Sequence, residues 1–322
     1  MVKAIRVHEL GGPQVLKWED VEIGEPEEGE VRVKNKAIGV NFIDVYFRKG
    51  LYYKADTMPL YFCKGLYYKA DTMPFSPGME ACGVGTAVGP GVTDRRVGDL
   101  VAYVGTPMGS YAEEQILPEN KVVPVPPSID PIVAASVLLK GMTAQVKPGH
   151  MVLVHAAAGG VGSLLCQWAN ALGATVIGTL STKEKTAQAK DDGLHEEDFV
   201  ARVTEITSDN GVDVVYDSVG KDTFQGSLAC LKTRGYMVSF GQTSGAIDPV
   251  PLSALAAKSL FLTRPACSTR DKLVEVAGEV FANVESGILR VRVNHKYPLS
   301  HAAQAHADLK NRKTSGSAVL IP

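Results

Sequence analysis

VLVHAAAGGVG (residues 152–162), followed by SLLCQWANALGA (163–174) and TVIGT (175–179), decides the fold. Val152, Leu153 and Val154 form a short apolar run of the kind buried in parallel sheets. Gly159, Gly160 and Gly162 stand where a chain turns tightly and approaches a neighbour closely. Leu164, Leu165, Trp168, Ala169 and Leu172 follow at helical spacing. A second strand pattern then begins at Thr175. Strand, glycine turn, helix and strand in that order predict a dinucleotide site, because free N–H groups and the helix dipole favour a pyrophosphate at the helix start. The alternative is a glycine turn in another α/β protein.

The end of the second strand reads the nucleotide. NAD sites place an acid there for the ribose hydroxyls. Here the chain runs Gly178, Thr179, Leu180, Ser181, Thr182, Lys183, Glu184, Lys185, with no acid at the strand end and two lysines close behind. A small, hydroxylated and basic pocket suits a 2′-phosphate, so NADPH is favoured over NADH. The alternative is that the two lysines are solvated residues opening a helix.

The 322 residues leave room for two domains. Hydrophobic content of 45% and charged content of 21% are those of an ordinary globular chain. A net charge of −2 argues against nucleic acid or an anionic membrane as partner. No apolar run is long enough to span a bilayer. The N-terminus, MVKAIRVHELGG, enters a strand pattern directly, without the apolar core of a signal peptide or the Arg/Ser-rich helix of a transit peptide. The five cysteines (Cys63, Cys82, Cys166, Cys230, Cys267) are scattered, which fits free thiols in a reducing compartment and a cytoplasmic location.

Residues 1 to about 125 are strand-like runs such as VRVKNKAIGVNF (31–42), GVGTAV (83–88) and DLVAYV (99–104), broken by glycine and proline turns. They predict a mostly antiparallel β domain, 1–126. VVPVPPSIDP (122–131) reads as the crossing segment. Strands and helices alternate over 127–264, with GVDVVYDSVG (211–220), GYMVSFG (235–241) and SLFLTRP (259–265) as further parallel strands. The tail, a helix over 271–287, a strand, a helix over 300–312 and the strand SAVLIP, is expected to complete the first domain with 265–322. YFRKGLYYKADTMPL (46–60) recurs as YFCKGLYYKADTMPF (61–75), differing only at Arg48/Cys63 and Leu60/Phe75. Two short copies do not make a solenoid, and a surface loop is where such an extension costs little. Between Asp192-Gly193 and Glu196 no strand intervenes where a doubly wound sheet wants its edge strand.

Candidate chemistry in the first domain gathers near NFIDVYFRKGLYY (41–53), where Asn41, Asp44, Tyr46 and Tyr52 are the polar groups. Donors of this kind steady an oxygen that gains charge. Two tyrosines suit a flat acceptor, although ordinary half-buried loop tyrosines read the same way. None of the seven histidines pairs with a Cys or another His at ligand spacing, so no metal site is expected. No GxSxG follows a strand, which leaves a serine hydrolase without support.

Together NFIDVYFRKGLYY, PFSPGMEACGVG (74–85), GDLVAY (98–103), LKGMTAQ (139–145), HAAAGGVG, GVDVVYDSVG, VSFGQTSGA (238–246), TRP (263–265) and RKTSGSAVLIP (312–322) resemble the zinc-free quinone oxidoreductase (zeta-crystallin-like) branch of the medium-chain dehydrogenases/reductases. The resemblance covers nearly the whole chain in order. It implies a GroES-like, mostly-β catalytic domain plus a Rossmann doubly wound parallel sheet, NADPH as cofactor, a small quinone or enone as substrate, and a homodimer. Asn41 and Met79 stand where zinc-containing cousins carry a Cys and a His. By motif, Ala158, Gly159, Gly160, Val161 and Gly162 are expected to cradle the pyrophosphate. Gly178, Thr179 and Lys185 belong to the adenosine end, with Lys185 near the 2′-phosphate. Thr143, Ser218, Phe240, Gly241 and Ser244 border the nicotinamide half. Arg264 and Arg312 are further cofactor contacts. Asn41, Tyr46 and Tyr52 line the acceptor side.

The chain also departs from the family's pattern. LHEED (194–198) lacks the preceding strand and its Tyr, the helix after KGMTAQ is about two turns short where Gln145 meets Val146, PACSTRD (265–271) is shortened, and the tandem copy is extra, so that Tyr67 competes with Tyr52. These departures predict weakened NADPH binding and reduced stability. An NADPH:quinone oxidoreductase is the leading reading. An NADPH-dependent alkenal or enone double-bond reductase, or a weakly active NADPH-binding relative, remains as the alternative.

Overall fold

A computed structural model describes residues 1–51, 73–105, 107–141, 148–180, 199–265 and 269–322. The contact pattern divides the chain into two units, Met1–Leu139 with Thr269–Glu285 and Val291–Pro322, and Lys140–Ser268 with Ser286–Arg290.

The first unit begins with β1 (Val2–Val7) paired antiparallel to β2 (Leu16–Val21). β3 (Glu30–Val40) alternates buried and exposed positions over most of its length, as a half-buried strand requires. A helix not expected from the sequence follows at once, α1 (Phe42–Arg48), capped by Asn41. The run 31–42 reads as one strand on hydropathy, but Asn41 and Asp44 form a reciprocal capping box that stops β3 and starts α1. Then come β4 (Glu80–Val88), β5 (Leu100–Val104), β6 (Glu114–Pro118), β7 (Val122–Pro124) and α2 (Pro131–Gly141). β7 pairs with β5, so the proline-rich 122–131 is partly sheet rather than only a crossing segment. Pro124 is tolerated because β7 stands at the sheet edge.

In the second unit, β8 (Met151–Val154), α3 (Gly160–Ala171), β9 (Thr175–Gly178), α4 (Phe199–Ile206), β10 (Val212–Asp217), α5 (Phe224–Cys230), β11 (Leu231–Ser239), α6 (Ser253–Ala256) and β12 (Phe261–Thr263) alternate. The five strands are parallel in the order β12-β11-β10-β8-β9. The central strands of the sheet are buried on both faces, while β12 at one edge is exposed. Val152, Val154, Val214, Tyr216 and Val238 pack with Leu165, Cys166 and Ala169 of α3. Leu153, Val215 and Met237 pack on the other face with Val203 of α4 and with Phe224 and Leu228 of α5. Each such fully buried aliphatic side chain contributes about 2 kcal/mol of apolar burial. That is the doubly wound arrangement. Among the described residues β9 forms one edge; the stretch where the sequence reading found no edge strand, within 181–198, lies outside the described residues.

The tail contributes α7 (Arg270–Glu285), β13 (Val293–Pro298), α8 (Ala302–Lys310) and β14 (Ser317–Ile321). β14 pairs antiparallel with β3, which returns the tail to the first unit's sheet in the order β13-β14-β3-β4-β5-β7, with β6 also on β3. Of the tandem repeat, the start of the first copy finishes α1, and Phe75 at the end of the second copy pairs with Val7 in the core. Residues 52–72 lie outside the described residues.

Candidate functional site

In the second unit the expected cofactor residues follow the C-terminal ends of parallel strands. The strand order reverses between β8 and β10, and open α/β sheets bind ligands in the crevice outside that point. After β8, Ala156 takes a left-handed φ of 54°, and Gly159 caps α3 with no side-chain hydrogen bond to the cap. A Cβ on Gly162 would overlap the Ala156 carbonyl and lie 2.7 Å from Ala157 Cα, so only glycine lets the helix sit this close to the turn. Ala157 N donates to Thr179 O (3.0 Å), and Thr179 N donates to Val154 O (2.9 Å), which joins this turn to the end of β9 at Gly178. After β10 and β11, Phe240 N and Gly241 N donate to Asp217 O, Thr243 N to Ser218 O, and Ser244 N to Val219 O. A Cβ on Gly241 would stand 2.6 Å from Ser218 O. Ala158, Gly159, Gly160, Val161, Gly162, Gly178, Thr179, Ser218, Phe240, Gly241 and Ser244 are thus brought to one edge of the sheet, with Arg264 exposed after β12. Thr143 and Lys185 lie outside the described residues. The glycine turn and the uncapped start of α3 fit a pyrophosphate.

Beneath these loops lies a buried polar relay that the sequence reading did not find. Asp217 is fully buried, and its Oδ1 accepts from Val219 N (2.7 Å) and Gly220 N (3.0 Å). Its Oδ2 accepts from the Thr223 hydroxyl (2.8 Å) and the Ser227 hydroxyl (3.2 Å). With the Ser227 proton given to Asp217, Ser227 Oγ receives from His155 Nε2–H (2.9 Å), and Nδ1 then accepts from the Thr179 hydroxyl (2.9 Å). Burial lowers the His155 pKa and Asp217 raises it, with burial the larger effect, so the ring is neutral. One relay therefore ties the loops after β8, β9 and β10. In the sequence His155 is one of the seven histidines with no Cys or His at ligand spacing. The signal available in the sequence was an Asp at the end of an apolar strand, Asp217 in VVYD.

In the first unit, Asn41 is buried at the start of α1. Its backbone N donates to Asp44 Oδ2 (2.9 Å), and its side-chain Nδ2 donates to Glu80 Oε2 (2.9 Å). Glu80 Oε1 accepts from Leu139 N (2.7 Å). Tyr46 is a helix residue rather than a loop one. It is only 5% exposed, lies in the core cluster and tilts against Phe42 with ring centroids 5.8 Å apart. Tyr52 lies outside the described residues. Arg312 is exposed in the turn after α8, at φ 58°. A neutral amide at 41 and a thioether at 79 do not supply a zinc ligand set, and among the described residues no group of three or more His, Cys, Asp or Glu could hold a metal ion.

Residues 27–127 match the family described as alcohol dehydrogenase GroES-like domain, and residues 160–281 match the family described as zinc-binding dehydrogenase. The donor set at Asn41 and Met79 sets this chain apart from the metal in that second description. A quinone oxidoreductase of Pseudomonas aeruginosa is 43% identical over 341 residues, covering 100% of both chains. A 2-haloacrylate reductase of a Burkholderia species is 43% identical over 344 residues, covering 100% of this chain and 99% of the relative. The crystal structure of Escherichia coli quinone oxidoreductase complexed with NADPH superposes with a TM-score of 0.90 at 41% identity, covering 99% of this chain and 100% of that one. With a GroES-like β domain, a doubly wound sheet with its glycine turn at the switch point, and full-length identity at this level, the chain belongs to the quinone oxidoreductase family of the medium-chain dehydrogenases/reductases.

Proposed function

We propose that the protein is a zinc-independent NADPH:quinone oxidoreductase that passes reducing equivalents from NADPH to a quinone. The observation that carries this reading is the glycine turn opening α3 beside the strand-order reversal, in a chain whose full-length relatives include quinone oxidoreductases. When bound, NADPH supplies the hydride. In this reading Ala158 to Gly162 hold the pyrophosphate with backbone N–H groups, and the absence of an acid after Gly178 and Thr179 leaves room for the 2′-phosphate, which Lys185 meets. Thr143, Ser218, Phe240, Gly241, Ser244, Arg264 and Arg312 complete the cofactor contacts. Asn41, Tyr46 and Tyr52 take the acceptor side, with Asn41 offering an N–H to the oxygen that gains charge. The same proposal carries the domain assignment 1–126 with 265–322 and 127–264, a homodimer and a cytoplasmic location. No helix among the described residues is long and apolar enough to cross a membrane.

The test is NADPH oxidation with 9,10-phenanthrenequinone, with NADH in parallel. Turnover with NADPH and little with NADH is expected. No turnover, and no quenching of tryptophan fluorescence by NADPH, would sink the reading and leave a weakly binding relative in its place. The haloacrylate reductase relative favours a second reading, reduction of an activated carbon–carbon double bond. A higher kcat/KM for a 2-haloacrylate or an alkenal than for any quinone would select it.

A further inference from the structure

Glu80 opens β4 and is fully buried. A buried carboxylate is costly unless donors meet it, and two donors do. Leu139 N reaches Oε1 at 2.7 Å from the last turn of α2, and Asn41 Nδ2 reaches Oε2 at 2.9 Å. The space for this carboxylate is made by Gly39, where a Cβ would overlap both Glu80 Oε2 and the carbonyl of Ala135. The opposite side of the Asn41 amide, its oxygen, faces the Asp44 backbone N–H in the capping box. Both orientations of a free asparagine amide are nearly equal in energy. Here a carboxylate on one side and an N–H on the other select a single one. Nδ2 carries two hydrogens, one goes to Glu80, and the second is aimed in one direction.

We propose that Glu80 is a positioning residue, whose carboxylate orients the Asn41 amide so that its second Nδ2–H serves as the donor to the substrate oxygen. This rests on the reading that Asn41 faces the acceptor. Glutamine at position 80 offers one acceptor oxygen to two donors, Leu139 N–H and Asn41 Nδ2–H. Turning the Asn41 amide over to relieve the mismatch would set Nδ2 against the Asp44 N–H, donor against donor.

The experiment compares wild type, Glu80→Gln, and the double variant Glu80→Gln/Asn41→Asp. The double variant moves the charge from 80 to 41. A carboxylate at 41 accepts from the new amide and faces the Asp44 N–H, so the buried network is whole again, but no N–H remains for the substrate. Glu80→Gln is expected to lower kcat with phenanthrenequinone roughly tenfold to hundredfold, below the roughly hundredfold to thousandfold cost of losing such a donor outright, with KM for NADPH unchanged. The double variant is expected to recover the melting temperature lost by Glu80→Gln while kcat stays at least about tenfold down. A Glu80→Gln enzyme with wild-type kcat overturns the proposal. So does a double variant that recovers kcat along with stability, since Glu80 would then serve only the fold. Wild-type protein that fails to oxidise NADPH in the same assay would instead overturn the parent reading, and this inference with it.

Discussion

Acidification should destabilise the first unit through one residue, His306. The side chain lies fully buried on α8, and its Nε2 stands 2.9 Å from the Tyr111 hydroxyl. Tyr111 donates its proton to Asp44 Oδ2 (3.1 Å), so it must receive from Nε2–H, and the lone pair of the neutral ring is on Nδ1. Nδ1 is buried with no hydrogen-bond partner. A proton added there would find no acceptor and would sit near the buried Arg48. Burial, with Arg48 acting in the same direction, lowers the pKa from 6.5 to about 3. Because the folded pKa is depressed, the unfolded chain takes up a proton as pH falls below 6.5, while the folded chain does not until about 3. The stability this group contributes is therefore complete above pH 6.5 and is lost on the way down to about 3, at about 1.4 kcal/mol per unit. From pH 7.5 to pH 5 the loss is about 2 kcal/mol, a large share of a domain stability of roughly 5–15 kcal/mol. The assay is urea denaturation at pH 7.5, 6 and 5, followed by Trp18 in a Trp168→Phe background, with His306→Gln as the comparison. Other titrating groups are common to both proteins and cancel in the difference. Wild type should lose its advantage over His306→Gln by about 2 kcal/mol between pH 7.5 and pH 5. A difference that stays constant to within about 0.5 kcal/mol would refute the reasoning.

Gly162→Ala should raise KM for NADPH tenfold or more, because its Cβ would strike the Ala156 carbonyl and force the turn away from α3; unchanged KM and unchanged NADPH fluorescence titration would count against the cradle. Asp217→Asn replaces one of two oxygens that each accept two donors, so roughly 2–3 kcal/mol of stability should be lost, read as a lower thermal midpoint, and an unaltered midpoint would show the relay to be dispensable. Dialysis against a chelator should leave quinone turnover intact, since Asn41 and Met79 offer no zinc ligand set; activity that falls and returns with zinc would reverse that conclusion.

Features carried by neighbouring residues were legible in the chain. The apolar run at 152–154, the glycines at 159, 160 and 162 and the 3.6-residue spacing that follows are local signals, and β8, the turn and α3 form where they predict. The same holds for β10 to β12 and for the tail that returns to the first unit through β14. α1 was missed because continuous hydropathy hides a strand-to-helix change, although the Asn41–Asp44 spacing carried it. β7 was missed because the proline-rich run 122–131 reads as a linker, and Pro124 fits the strand because β7 stands at the sheet edge.

Most of the order of strands and helices, the glycine turn, the family, and the lack of zinc donors at 41 and 79 followed from the residues alone. Tertiary structure alone decided which polar side chains meet. Glu80 finds Asn41 across 39 residues of chain and Leu139 across 59, and His155 finds Ser227 across 72. No local period marks such pairs. They exist because a buried polar group must find a partner wherever packing brings one, and packing is a property of the whole sheet.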